Sequence, residues 1–166
     1  MKTLILLISL SIFPFPTIEA QECACCSADF RGFDFWIGDW EVYNPEGKKI
    51  GENKVIALED HCIIAENWTG ASGGSGKSFN YFDKNDHTWN QLWISNTGNI
   101  LKLKGTGSES KMVLQSEQKP GEVHNKITWT LNDDGSVTQL WEVLDANGKV
   151  TQKAFEGIYR KNITEK

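Results

Sequence analysis

The chain has 166 residues and sets 17 Lys and Arg against 22 Asp and Glu, for a net charge of −5 and a pI near 5.2. That balance excludes a protein that reads nucleic acid through a basic face, and a polybasic helix on a membrane surface. A content of 39% hydrophobic and 11% aromatic residues, seven of them Trp, excludes a disordered acidic tail. The length suits one domain with a core of its own.

In chain order, residues 1–20 read as a cleaved signal peptide. Lys2 supplies the positive start, Leu4 to Phe15 the apolar stretch, and Ala20 the small residue before the cut. The apolar run falls short of the about 20 residues that a spanning helix needs. A protein exported to the periplasm or the cell exterior, and not embedded in a membrane, is expected. Export puts the cysteines in an oxidising compartment. Residues 21–32 form a Cys-containing segment with Cys23, Cys25 and Cys26, and the fourth is Cys62. If all four pair, Cys62 takes one of the cluster. A Cys25–Cys62 bond leaves Cys23 and Cys26 as the least strained local pair. A redox pair or a metal site at His61-Cys62 would need a βαβ context or zinc-ligand spacing, and neither is present. No metal is expected.

Residues 33–162 read as a single all-β domain. Turn clusters recur at intervals of about 8–12 residues. They are Asn44-Pro45-Glu46-Gly47, Thr69 to Gly76, Asp83 to Asp86, Asn96 to Asn99 and Gly105-Thr106-Gly107. Lys119-Pro120-Gly121, Asn132 to Gly135 and Asp145 to Gly148 complete the series. Between them lie about ten candidate strands, several with clean alternation, as in Ile127-x-Trp129-x-Leu131. At most a short helical turn precedes the first strand, around Ala28 to Phe33. Short links favour antiparallel neighbours, and a sheet of this width has open edges unless it closes. The expected fold is an antiparallel up-and-down barrel of about ten strands, wide enough for a cavity.

Asp34-Phe35-Trp36-Ile37-Gly38-Asp39-Trp40 opens the first strand. Its Gly38-x-Trp40 resembles the Gly-x-Trp signature of lipocalins and fatty-acid-binding proteins, the calycin superfamily. The resemblance implies that Trp40 closes one barrel end and that Arg160, on the last strand, packs over it as a cation on a ring. The longer stretches Phe33 to Val42, Cys62 to Trp68, Gly76 to Tyr81, Trp89 to Trp93 and Gln139 to Glu142 resemble a family of largely uncharacterised bacterial secreted proteins with a lipocalin-like barrel. That likeness implies fold and export, and no established catalytic activity. Small haem-binding barrels need an axial His late in the chain, whereas the last His here is His124, in or beside a turn. No cofactor is expected.

The most informative internal echo is Gln91-Leu92-Trp93 against Gln139-Leu140-Trp141. Trp89, Gln91 and Trp93 share one strand face, as do Gln139 and Trp141, and as do Ile64, Glu66 and Trp68. A buried Gln or Glu without a partner costs about 1–3 kcal/mol, so its place among aromatics needs a reason. One reason is a lumen where Glu66, Asn80, Gln91 and Gln139 orient a ligand and Trp68, Trp89, Trp93 and Trp141 supply contact area. Another is an internal polar network in a filled barrel. The opposite rows, Leu92 with Ile94 and Leu140 with Leu144, compete for the inward face. His61, at a strand start, and His87 and His124, near turns, read as solvated. The loop Gly70 to Gly76 reads as a lid at the barrel mouth rather than a phosphate loop, because a strand follows it. Glu66 with Glu142 could form a carboxylate pair if they meet. Three functions follow: an exported carrier or sensor of a small, partly apolar molecule, a surface interaction module with a filled barrel, and an enzyme using Glu66 as acid or base.

Overall fold

The computed structural model describes residues 23–162; the expected signal peptide, residues 1–20, lies outside them. A short helix α1 (Ala28–Arg31) and a 3-10 turn (Asp34–Trp36) lead into ten strands. These are β1 (Gly38–Tyr43), β2 (Lys49–Leu58), β3 (Ile63–Gly70), β4 (Ser75–Asp83) and β5 (Thr88–Ser95), then β6 (Ile100–Ser108), β7 (Lys111–Gln115), β8 (His124–Leu131), β9 (Val137–Leu144) and β10 (Val150–Lys161). Each strand pairs antiparallel with the next. The last returns to the first, with Val42 opposite Tyr159, so the barrel is closed. Closure removes the free edges that an open sheet of this width would expose.

Local chemistry sets the hairpins. Gly47, Gly98, Gly135 and Gly148 take left-handed φ values of 81°, 82°, 78° and 78°, a conformation open to glycine without a Cβ clash. Asp145 Oδ1 accepts from the backbone N–H of both Asn147 and Lys149 at 2.9 Å, which fixes the β9–β10 turn. The β2–β3 turn is different. Glu59, Asp60 and His61 are all left-handed, at φ 49°, 51° and 68°, a costly run for residues with side chains. The Cys25–Cys62 disulfide ties this turn to the N-terminal segment, and Cys23–Cys26 closes the local loop.

The N-terminal segment plugs one end of the barrel. Phe33 and Trp36 are fully buried and stack at 4.9 Å between ring centroids. Trp129 meets them at 5.1 and 5.4 Å, and Trp89 meets Phe33 edge-on at 5.8 Å. Trp40 Nε1 donates to Trp36 O at 2.9 Å, which satisfies that indole, whereas Trp36 Nε1 and Trp129 Nε1 have no partner among the described residues. Gly38 matters here: a Cβ on it would lie 3.0 Å from Trp40 Cε2, so the ring folds back over a bare backbone.

Five sequence expectations are corrected. Gly105-Thr106-Gly107 is not a turn but part of β6, and the hairpin tip is Glu109-Ser110. Cβ atoms on Gly105 and Gly107 would come within 2.0 Å of Val113 O and 2.5 Å of Lys111 O, so these glycines mark a close strand approach. Gly70 to Gly76 is no lid: its ends belong to β3 and β4, and Gly70 N donates to Gly74 O at 2.7 Å across the tight turn between them. His61 does not begin a strand; it ends the left-handed turn. His124 is not solvated but 3% exposed at the head of β8. The cation over Trp40 is Lys161, at 5.5 Å, while Arg160 lies over Tyr43 at 5.2 Å. Alternation along β10 decides this. Tyr159 points inward, Arg160 points outward beside Glu41 and Tyr43, and the inward position next to Trp40 falls to Lys161.

Candidate functional site

Three strands present the same inward pair, a polar residue followed two positions later by Trp. β3 carries Glu66 and Trp68, β5 carries Gln91 and Trp93, and β9 carries Gln139 and Trp141. Period-two geometry keeps each pair on one face and places each Trp one step nearer the unplugged end. All six residues line one cavity of about 70 Å³, together with Leu101, Ile127, Phe155 and Tyr159. Glu66, Gln91 and Gln139 are 7%, 4% and 8% exposed, and Tyr159 is buried beside them. Trp68, Trp93, Trp141 and Phe155 are half-buried and form a collar above that floor. Trp93 meets Trp141 at 6.4 Å, and Trp68 meets Phe155 at 5.9 Å, both edge to face. The collar needs bare backbone beside it. A Cβ on Gly51 would lie 2.4 Å from Trp68 Cη2, and one on Gly76 would lie 2.8 Å from Trp93.

The floor is a chain of hydrogen bonds. Glu66 Oε1 accepts from Asn53 Nδ2 at 2.8 Å, and Glu66 Oε2 accepts from Ser78 Oγ at 2.7 Å. Asn80 Nδ2 donates to Ile64 O at 2.9 Å and to Ser78 Oγ at 3.0 Å, and Asn80 Oδ1 accepts from Gln91 Nε2 at 2.8 Å. On the far side Tyr159 Oη donates to Gln139 Oε1. Asn53 Oδ1 is buried without a partner among the described residues, and two more atoms of the floor are left over at the cavity. Gln91 Oε1 and Gln139 Nε2 have no hydrogen-bond partner among the described residues, and neither is sealed from the cavity. Burial pushes the Glu66 carboxyl above the ordinary carboxylate range, against the opposing pull of Ser78 and Asn53. Burial also raises the Tyr159 hydroxyl, and the nearby Glu66 charge adds to the effect.

Other residues singled out from the sequence fall elsewhere. Asn80 is fully buried behind Gln91 and does not line the cavity. Trp89 shares the face of Gln91 but points to the plugged end, where Nε1 donates to Asp29 O at 3.2 Å. Glu142 lies on the opposite face of β9 from Gln139, beside Lys126 at 3.2 Å, so it does not meet Glu66. His87 is exposed in a turn, and His61 is half-buried 3.9 Å from Asp34. Sequence reading missed Leu101, Ile127, Phe155 and Tyr159 as cavity residues. The alternation of Phe155, Gly157 and Tyr159 was an available signal, with Gly157 leaving room for the Phe155 ring, 2.7 Å from where its Cβ would be.

Fold and site define a closed antiparallel β-barrel, plugged at one end, whose lumen is polar at its floor and aromatic at its mouth. No helix among the described residues is long and apolar enough to cross a membrane. Compared with models of known protein families the chain matches none, and no curated protein matches it.

Proposed function

We propose that the protein is an exported carrier or sensor that holds a small, partly apolar molecule in the barrel lumen. The observation that carries this reading is the pair of unpartnered polar atoms, Gln91 Oε1 and Gln139 Nε2, beneath an aromatic collar. A binding site needs a few polar groups that fix orientation and apolar walls that supply contact area. Three further points support it: the likeness to secreted lipocalin-like barrels, the signal-like residues 1–20, and two disulfides suited to an oxidising compartment. The test is titration with a library of small, partly apolar compounds, followed by Trp fluorescence. Gln91→Ala and Trp93→Ala should weaken any hit about tenfold, the loss of one hydrogen bond or ring contact, without unfolding the barrel. Equal affinity in both variants, or no compound bound, sinks the proposal.

A second reading, a surface interaction module, draws on the outer wall. Ile56, Phe79, Tyr81 and Ile94 are 40%, 51%, 43% and 46% exposed on β2, β4 and β5. Apolar stretches of this kind on a sheet's outer face mark contact surfaces. Light scattering over a concentration series, with Phe79→Lys as the disrupting variant, separates self-association from a monomer.

A further inference from the structure

We infer that the lumen selects a small organic cation, an alkylated ammonium group, with Trp68, Trp93, Trp141 and Phe155 around it and Glu66 as its counter-charge. The inference rests on the lumen-binding reading above and adds the chemical class of the ligand.

Charge bookkeeping leads to it. Among the described residues Glu66 is the one acidic side chain lining the cavity, and no Lys, Arg or His lines it. Among the described residues no cation lies within salt-bridge distance of Glu66, which receives only the neutral donors Asn53 and Ser78. Buried carboxylates are ordinarily paired with a cation or a metal. The described residues supply no such cation, so Glu66 becomes a paired carboxylate only when the ligand brings the positive charge.

The walls agree with the floor. Ring faces attract cations, Trp most strongly, and more so when water is excluded. Three of the collar rings are Trp, and within each edge-to-face pair the rings stand at 72° and 82° to one another. The cavity of about 70 Å³ favours a compact head group over a long chain. A carboxylate or phosphate ligand would meet Glu66 with no compensating positive group. A neutral amide would satisfy Gln91 and Gln139 but draw nothing from the Glu66 charge. The net charge of −5 also draws cations toward the protein.

Proton linkage gives the site a signature. In the empty barrel, burial favours the neutral form of Glu66. The groups facing it are Asn53 and Val55 from β2, Ser78 from β4 and Tyr159 from β10, of which Tyr159 alone titrates. A bound cation favours the carboxylate, so binding expels the Glu66 proton. Affinity for the cation therefore rises with pH and levels off once Glu66 is already ionised in the empty barrel.

The experiment is calorimetric titration of the disulfide-intact protein with choline and with its uncharged isostere, 3,3-dimethyl-1-butanol. Choline should bind at least about tenfold more tightly than the isostere, the scale of a desolvated cation–π contact. Its affinity should rise with pH, and proton release should appear as a dependence on the buffer's ionisation heat. Glu66→Gln should close the gap by weakening choline alone. Trp93→Leu, which keeps apolar bulk but removes a ring, should narrow it, and keeps the test open if Glu66→Gln does not fold. Equal binding of the two probes overturns the cation assignment and leaves the lumen reading standing. A gap that survives both variants overturns it too. If neither probe binds, the cation assignment falls, and the compound library decides the lumen reading separately.

Discussion

The two ends of the barrel are built from the same residue type and behave differently. At the plugged end Trp36, Trp40, Trp89 and Trp129 are at most 4% exposed. They pack on Phe33 and Tyr159, and the N-terminal segment fills the space between them. At the open end Trp68, Trp93 and Trp141 stand half-buried over bare glycines and a polar floor, and none of the described residues fills the space they surround. The difference teaches that a Trp stabilises where neighbours surround it, and becomes a receiving surface where one side is left free.

Truncating each end in turn is the sharpest way to break this contrast. Trp129→Ala should cost about 3–5 kcal/mol, because it leaves a cavity among close-packed rings. The readout is the urea midpoint, and a loss below that of a surface substitution would refute the plug as the stabilising end. Removing the tie that holds the plug comes next. Replacing Cys25 and Cys62 together by Ser opens a link spanning 37 residues, a loss of up to about 4 kcal/mol on the chain-entropy account. Thermal melts of the double variant should show it, with the fluorescence of the open-end Trp residues little changed at low temperature.

At the open end the expected effects are smaller. Gly76→Ala drives a Cβ to 2.8 Å from Trp93 and should cost about 1–3 kcal/mol while shifting Trp fluorescence as the ring moves. Trp93→Ala should cost only about 1 kcal/mol, since that ring is already partly in water; a loss matching Trp129→Ala would erase the contrast between the ends. The mildest effect is on pH dependence. Because Glu66 binds its proton more tightly when folded than when unfolded, stability should fall as pH rises from the ordinary carboxylate range through the raised folded value, then level off. Glu66→Gln should flatten that fall, and an unchanged pH profile of the denaturation midpoint would show that the carboxyl is not held neutral.

Much of the architecture was legible in the residues themselves. The turn clusters at Asn44, Asn96, Asn132 and Asp145 sit at hairpins in the structure, and the alternation of Ile127, Trp129 and Leu131 runs along a strand. The rows of polar residue and Trp were legible on three strands, but whether they or the row of Leu92 and Ile94 faced inward was left open by the sequence, and the barrel turns the polar and Trp rows inward. The glycines misled. Gly105 and Gly107 have turn composition, but what excludes a side chain there is backbone from the neighbouring strand, which composition does not report.

What the sequence alone determined is the set of local periodicities: the alternation of strands with turns, and which residues of a strand share a face. Those properties depend on neighbours within a few positions, and they are readable for that reason. Only the tertiary structure decided which inward residues belong to which end. Trp89 and Trp93 lie on one face of one strand, yet one is sealed under Phe33 and the other lines the lumen. It also decided that Lys161 rather than Arg160 covers Trp40, and that Phe155 and Tyr159 meet the residues of β3, β5 and β9. Those outcomes depend on strand register, barrel closure and the entry of the plug, which are set by contacts between residues far apart in the chain.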